Sequence, residues 1–159
     1  MEKVLKQLHH FSGSNRTQAL TDLINFVLGS AQADSYSSLI IPKAMELLID
    51  DEVDTREALF VLLSTLTVNI RPQSMKAVMS VLITYICSGL TSLNKGVRKD
   101  ALLLLCQVAE TQAELMTPFL DKILKNIFGS LSRASLIFNS SQSGAASSTP
   151  SASSTSGNM

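Results

Sequence analysis

The chain has 159 residues with thirteen basic and thirteen acidic side chains, so its formal net charge at pH 7 is zero. Because phosphate backbones are bound mainly through clustered Lys and Arg, this balance argues against direct nucleic-acid binding. Hydrophobic residues make up 45% of the chain and aromatic residues 5%, with no Trp. An aliphatic core with few Gly and Pro favours an all-α body over a sheet, and the length suits one domain.

Three features bear on the compartment of the protein. The first ten residues interleave charged with apolar side chains, which excludes a secretory signal peptide. Residues 77–94 carry no charge, but Ser and Thr interrupt them, so a core helix explains the segment better than a membrane span. Cys87 and Cys106 lie within apolar runs, and we expect both to be buried in a reducing compartment.

Apolar residues recur at helical spacing in seven segments, so the sequence predicts seven helices. They cover about residues 2–10, 15–29, 35–49, 53–67, 73–92, 97–111 and 116–131. Ser14 or Asn15 is expected to cap the second helix, and Pro42 fits only a first turn or a kink. Residues 50–52 (Asp-Asp-Glu) place negative charge at the start of the fourth helix, where the helix dipole favours it.

An internal repeat is the strongest signal in the sequence. Ala-Leu pairs open three helices at Ala19, Ala58 and Ala101, with gaps of 39 and 43 residues between the alanines. A period of about 40–47 residues with two helices per unit is typical of HEAT and armadillo solenoids. The small Ala suits a close helix crossing, and the Leu-rich runs 58–63 and 101–106 should be buried on most sides.

Each of these alanines follows closely on an arginine: Arg16, Arg56 and Arg98. An arginine at a helix N-terminus opposes the helix dipole, so each is expected to bond a carboxylate or carbonyl of the neighbouring repeat. The sequence thus predicts an all-α, HEAT/armadillo-like α-solenoid of about three and a half helical-hairpin repeats over residues 1–135. A disordered, Ser-rich tail is expected over residues 136–159.

Three landmarks occur together in one order along the chain: Leu8 to Phe11 (LHHF), Gly89 to Thr91 (GLT) and Arg98 to Leu102 (RKDAL). Glu110 follows in a later acidic position. With these landmarks, residues 4–131 resemble the Ipi-type pre-rRNA-processing proteins, the family of the animal testis-expressed protein 10. Members of that family begin with a Lys-rich segment and continue well beyond this region, so the chain is expected to be a fragment or a short form.

The resemblance implies a non-catalytic scaffold subunit of a nuclear complex, in the nucleolus or nucleoplasm, that acts in pre-rRNA processing and large ribosomal subunit (pre-60S) assembly. The partners it implies are a WD-repeat propeller subunit, a large helical-repeat scaffold and an AAA-type ATPase. A HEAT or armadillo adaptor of another pathway, such as transport or cytoskeletal assembly, remains the alternative. Co-purification of the propeller and the ATPase would separate the two.

No residues have the spacing of a catalytic, cofactor or metal site. His9 and His10 are adjacent, so on a helix they point about 100° apart and cannot form a metal pair. Arg98 and Lys99 are candidate contacts to an acidic group or phosphate of a partner, although an inter-repeat hydrogen bond is the favoured interpretation. The last helix lacks a following second helix, so part of its apolar stripe should pack inward and the rest should bind a partner. That stripe includes Phe119, Ile123, Ile127 and Phe128.

Overall fold

The computed structural model describes the backbone of residues 1–143 and the side chains of residues 1–132. In this part of the chain the protein has seven α-helices and no strand. They are α1 Glu2–Gln7, α2 Gly13–Gly29, α3 Ala33–Met45, α4 Val53–Asn69, α5 Pro72–Leu90, α6 Lys95–Met116 and α7 Leu120–Ser143. Two 3₁₀ turns, Glu46–Ile49 and Thr117–Phe119, follow α3 and α6.

The helices stack in two layers, which confirms the predicted solenoid. In one layer α5 lies between α3 and α7, and in the other α4 lies between α2 and α6. A continuous aliphatic cluster fills the space between the layers. Within the described residues, no helix is both long and apolar enough to cross a bilayer.

The close helix crossing predicted at Ala101 is present between α5 and α6. Ala101 is fully buried, and a Cβ added to Gly89 would lie only 2.8 Å from the Ala101 Cβ. Two small residues therefore allow the two helices to touch nearly at their backbones. Larger side chains at either position would force the third helical hairpin apart.

The helix ends differ from the predicted ones where local hydrogen bonds decide them. α2 begins at Gly13 after Ser12, so Ser14 and Asn15 are not its caps, and the Asn15 amide instead contacts the His10 ring at 3.0 Å. α3 begins at Ala33 and contains Pro42 in its last turns, after which the chain tightens into the 3₁₀ turn. α6 has a side-chain cap, because Asn94 Oδ1 accepts from the Gly96 amide at 2.8 Å.

The C-terminal boundary also differs from the expected one. The backbone stays helical to Ser143, so the predicted boundary after residue 135 is not a helix end. Leu136, Ile137 and Phe138 continue the apolar pattern of the helix, which accounts for the extension. Residues 144–159 of the predicted disordered tail lie outside the described part of the chain.

The Leu-rich helices are less buried than predicted. Leu102 and Leu103 are each 48% exposed, and Cys106 is exposed whereas Cys87 is buried. The predictions that Cys106 is buried and that α6 is buried on most sides were therefore wrong. A second-layer helix has neighbours only in its own hairpin and in adjacent repeats, so one side of it faces water whatever residues it carries.

Candidate partner-binding surfaces

One arginine marks the start of each second-layer helix, and the three side chains have the same local geometry. Arg16, Arg56 and Arg98 each donate from Nη1 to the backbone carbonyls six and five residues earlier, at 2.6–3.2 Å. These carbonyls belong to the hinge between the two helices of a hairpin. The arginine thus fixes the hinge of its own repeat, which explains its place at an N-terminus that the helix dipole disfavours.

The first two arginines also reach the next repeat, as predicted. Arg16 Nη2 donates to Asp50 Oδ1 at 2.7 Å, and Nε lies 2.7 Å from Oδ2 as an ion-pair contact without hydrogen-bond alignment. Arg56 Nε donates to Asp100 Oδ2 at 2.7 Å. The hydrogen bond with Asp50 raises the pKa of Arg16 above its ordinary value. Asp50, expected to serve the dipole of α4, instead joins two repeats.

Arg98 breaks the series. Its hydrogen bonds go to Ser92 and Leu93 of its own hinge, and within residues 1–132 it has no carboxylate partner. The favoured inter-repeat hydrogen bond of Arg98 is therefore absent there, because the described chain has no second-layer helix after α6. Lys99, its neighbour, is exposed on another side of α6.

The shared hinge geometry sets the true register of the repeat. Aligning the arginines gives spacings of 40 and 42 residues rather than the 39 and 43 obtained from the alanines. In this register Leu59, not Ala58, takes the position of Ala19 and Ala101, and all three are buried. Ala58 is only half-buried, so the predicted ladder was displaced by one residue in the second repeat.

Each arginine heads a stripe that faces the following repeat, here called the Arg stripe. It comprises Arg16, Leu20, Ile24 and Val27 in α2, Arg56, Phe60, Ser64 and Thr67 in α4, and Arg98, Leu102, Cys106 and Ala109 in α6. Ser64 Oγ donates to Gln107 Oε1 at 2.8 Å, and Gln112 Nε2 donates to the Thr67 carbonyl at 3.1 Å, so the α4 stripe is covered by α6. The α6 stripe has no such cover in the described chain.

The apolar stripe predicted on the last helix divides into an inner and an outer part, as expected. Ile123 is buried and Phe119 and Ile127 are half-buried against the core, so these three support α7 rather than face a partner. Phe128 is 61% exposed. Lys122 and Ser130 bond to Thr84 and to the Leu90 carbonyl of α5 from the opposite side of α7. Three more exposed residues share the side of Phe128: Leu120, Leu124 and Leu131.

These two stripes, one on α6 and one on α7, are together named the open-end surface of the described solenoid. It consists of Arg98, Leu102, Cys106 and Ala109 of α6 with Leu120, Leu124, Phe128 and Leu131 of α7. Of the six predicted binding residues, the structure brings Arg98 and Phe128 to this surface. It places the other four elsewhere: Lys99, Phe119, Ile123 and Ile127.

A second surface is a groove between α4 and α6, which the sequence analysis did not identify. It has a volume of about 250 Å³ and is lined by Leu48, Arg56, Glu57, Phe60, Val61, Lys99, Asp100, Leu103 and Leu104. When the repeats are aligned on their arginines, the equivalent residues Thr21, Val61 and Leu103 are all exposed. This alignment is the sequence signal that could have identified the groove. A water-facing position that is polar in α2 but apolar in α4 and α6 indicates a contact surface.

Comparison with known proteins identifies the family. Residues 73–159 match the family described as "Rix1 complex component involved in 60S ribosome maturation". A chain of the Rix1–Rea1 pre-60S particle has the same fold, with a TM-score of 0.72 at 19% identity over 82% of this chain and 56% of that chain. Two engineered proteins give TM-scores of 0.55 and 0.52 at 20% identity, over 81% of this chain and 50% and 51% of theirs.

At these sequence identities the solved structures establish the fold alone. This chain spans about half the length of each structure that it matches. The family match is independent of them and covers more than half of the sequence. It includes the GLT and RKDAL landmarks, so it agrees with the resemblance found in the sequence. The chain therefore belongs to the family of Rix1 complex components involved in 60S ribosome maturation.

Proposed function

We propose that this protein is a non-catalytic scaffold subunit of a nuclear complex that acts in pre-rRNA processing and maturation of the large ribosomal subunit. Membership of the Rix1-component family is the observation that carries the proposal. The shared fold with a chain of a Rix1–Rea1 pre-60S particle supports it. The proposed partners are a WD-repeat propeller subunit, a large helical-repeat scaffold and an AAA-type ATPase on pre-ribosomes, in the nucleolus or nucleoplasm.

The way the polar side chains are used supports a non-catalytic role. Asp50 and Asp100 pair with arginines, Asp34 pairs with Arg71, and the His10 ring accepts from the Ser12 amide at 3.1 Å. Each of these groups stabilises a hinge or a contact between repeats. A catalytic group needs a partner at reacting distance within a cleft, and these side chains are already held by structural bonds.

The α4–α6 groove is the surface we propose for binding a protein partner. Val61 and Leu103 supply apolar area, and Glu57 and Lys99 place charges of both signs at its edge. An apolar centre with a mixed charged rim suits a helix or extended segment of another protein better than a polyanion. Lys99 would then contact an acidic residue of that segment.

Reconstitution with purified partners tests the proposal. The full chain, carrying an affinity tag, is mixed with the propeller subunit and the helical-repeat scaffold, and complex formation is measured by size-exclusion chromatography and calorimetry. We expect a stable complex with the wild-type protein. Val61→Asp with Leu103→Asp should weaken binding at least about tenfold, because buried charge would replace apolar contact area.

Val68→Asp is the matched control, since Val68 is an exposed valine of the same helix outside the groove. It should bind as the wild type does. If the wild-type protein instead forms complexes with transport or cytoskeletal proteins and with neither proposed subunit, the adaptor alternative replaces the ribosome-assembly role. Equal loss of binding in the groove variant and the control would remove the groove from the proposal.

A further inference from the structure

The α4–α6 groove carries opposite charges on its two sides. Glu57 lines its α4 side, and Asp54 lies one turn earlier on the exposed surface of the same helix. Lys99 lines its α6 side, and Lys95 lies one turn earlier on that helix. Within the described residues none of these four side chains belongs to an ion pair. The groove therefore has a negative edge, a positive edge and an apolar centre.

The other two charged residues of the groove do not disturb this polarity. Arg56 and Asp100 bond each other at 2.7 Å, so their charges cancel. Glu57 and Lys99 each follow one of the aligned arginines by one residue, so they lie at the same level on opposite sides of the groove. What remains at that level is one unbalanced charge of each sign.

The lysines have no local benefit for the fold. Lys95 and Lys99 lie in the first two turns of α6, where a positive charge opposes the helix dipole. They are also four residues apart on one helix, a spacing at which like charges repel. A helix end that is unfavourable by itself, and that lacks an acid within the described residues, indicates an acidic group supplied on binding.

The groove opens sideways from the stack of hairpins. The second layer runs from α2 through α4 to α6, whereas the groove faces away from the core beside this direction. Val61 is 50% exposed and Leu103 is 48% exposed in its centre. A hairpin added to either end of the stack would contact the end helices and would leave this surface accessible.

A second copy of the chain suits the charges of the groove but not its shape. Two copies related by a half-turn would set Glu57 of one against Lys99 of the other. Both would present a hollow of about 250 Å³, however, and two facing hollows leave apolar walls without contacts. A single helix instead inserts a ridge of side chains between two helices.

From these observations we propose that the α4–α6 groove binds one amphipathic helix of a partner protein in a single direction. Basic residues of that helix face Glu57, acidic residues face Lys99, and its apolar side packs on Val61 and Leu103. The charges on each edge are about 4.5–6 Å apart along the helix axis, close to one turn, so a helix matches them better than an extended segment. The inference rests on the proposed scaffold function for the existence of a partner, and it adds the helical form and the charge order.

Four designed helical peptides of one composition, each with a leucine stripe, are the probes. Two carry their charges in the first two turns and two in the last two turns, so both directions of the bound helix are covered. The members of each pair differ only in which side of the stripe carries Arg and which carries Glu. Binding to the full chain is measured by fluorescence anisotropy at low ionic strength.

We expect the two members of one pair to differ in Kd by at least about fivefold, because charge order fixes the orientation of a helix in a groove. The difference should shrink when salt is raised to about 0.5 M. Glu57→Lys with Lys99→Glu exchanges the two edges at constant net charge and should reverse the preference. Both positions are exposed, and the comparison on wild-type protein remains decisive if this variant fails to fold.

Lys76→Glu with Glu114→Lys is the matched control. It makes the same exchange of charges at exposed positions outside the groove, so it should preserve the wild-type preference. Equal binding within both pairs, or no binding by any of the four peptides, would overturn the inference. A wild-type dimer that Val61→Asp with Leu103→Asp dissociates would assign the groove to a second copy and would also overturn it.

The scaffold proposal and this inference can fail separately. A reconstituted complex without any peptide preference would leave the scaffold role standing and remove the charge order. A peptide preference that reverses as expected, without a complex with the proposed subunits, would leave the charge order standing and remove those subunits as partners.

Discussion

Arg56 is the side chain on which three segments of the protein converge. Its guanidinium bonds the carbonyls of residues 50 and 51 in its own hinge and the carboxylate of Asp100 in the next repeat. The Arg56 side chain is only 4% exposed, and that of Asp100 is 30% exposed. Because its partners are shielded from water, losing the guanidinium leaves acceptors and a carboxylate without compensation.

We therefore expect Arg56→Met to lower the free energy of unfolding by on the order of 3 kcal/mol, the usual cost of breaking a shielded ion pair. Urea unfolding followed by circular dichroism gives the value. Arg71→Met is the control, because the Arg71 side chain is 76% exposed and water screens its pair with Asp34, so the loss of stability there should be much smaller. Similar losses in both variants would contradict the structural role given to Arg56.

The contact between Asp34 and Arg71 predicts a specific pH dependence. Asp34 accepts from the Arg71 amide at 2.9 Å and from its Nε at 2.7 Å, and these bonds lower the pKa of Asp34. A carboxyl whose pKa is lowered by folding stabilises the protein above its unfolded-state pKa, about 3.9, and this stabilisation disappears as the pH falls through the lower folded-state pKa.

Asp34→Asn should thus melt below the wild type at neutral pH, and the two melting temperatures should converge in acid. Thermal unfolding from about pH 7 to about pH 2.5 provides the test, with most of the change expected below about pH 4. A difference that stays constant over that range would show that the Asp34 charge does not contribute through Arg71.

Among the elements, α5 and α6 approach each other most tightly at Gly89 and Ala101. A methyl group on Gly89 would sit 2.8 Å from the Ala101 Cβ and 3.1 Å from Leu48 Cδ2. Both neighbours are buried, so neither can move away freely. The crossing therefore fixes the distance between the two layers in the third hairpin.

We expect Gly89→Ala to destabilise the fold by about 1–3 kcal/mol through overpacking, despite the better helix propensity of Ala. Gly129→Ala is the matched control, because a Cβ on this glycine of α7 would meet no atom within 4 Å. There the substitution should be neutral or stabilising by up to about 1 kcal/mol. Stabilisation by both variants in chemical unfolding would contradict the close crossing.

At the scale of the whole molecule, the two cysteines report on different parts of the structure. Cys87 is buried in the cluster between the layers, and burial raises the pKa of its thiol, so it lacks both access and thiolate character. Cys106 lies exposed on the α6 stripe. We expect Cys106 to react with a thiol reagent at once and Cys87 to react only when the helices separate.

The slow phase should disappear in Cys87→Ser and persist in Cys106→Ser, which assigns each phase to one residue. Added urea should accelerate the slow phase and leave the fast phase nearly unchanged, because only the former requires opening of the core. If both thiols of the native protein reacted in a single rapid phase, the burial of Cys87 would be contradicted.

The repeat architecture was predictable because local signals create it. Apolar spacing identified all seven helices, and Arg16, Arg56 and Arg98 marked the start of each second-layer helix. Burial of single residues depends on neighbours far along the chain, so the exposure of Leu102 and Cys106 could not be predicted from their chemistry. For the same reason the sequence suggested both Lys99 and Phe119 as binding residues. In the structure Lys99 lines the α4–α6 groove, whereas Phe119 packs against the core.

The exposed side of α7 has a consequence for the way the protein loses structure. In a solenoid each hairpin is held only by adjacent hairpins, so cooperativity passes along the stack from one interface to the next. Within the described residues, α7 contacts the layer on one side only, so we expect its amide hydrogens to exchange faster than those of α4, which lies between α2 and α6. Any segment that packs on the exposed side of α7 should slow that exchange, because it would add an interface that must open before the helix unfolds.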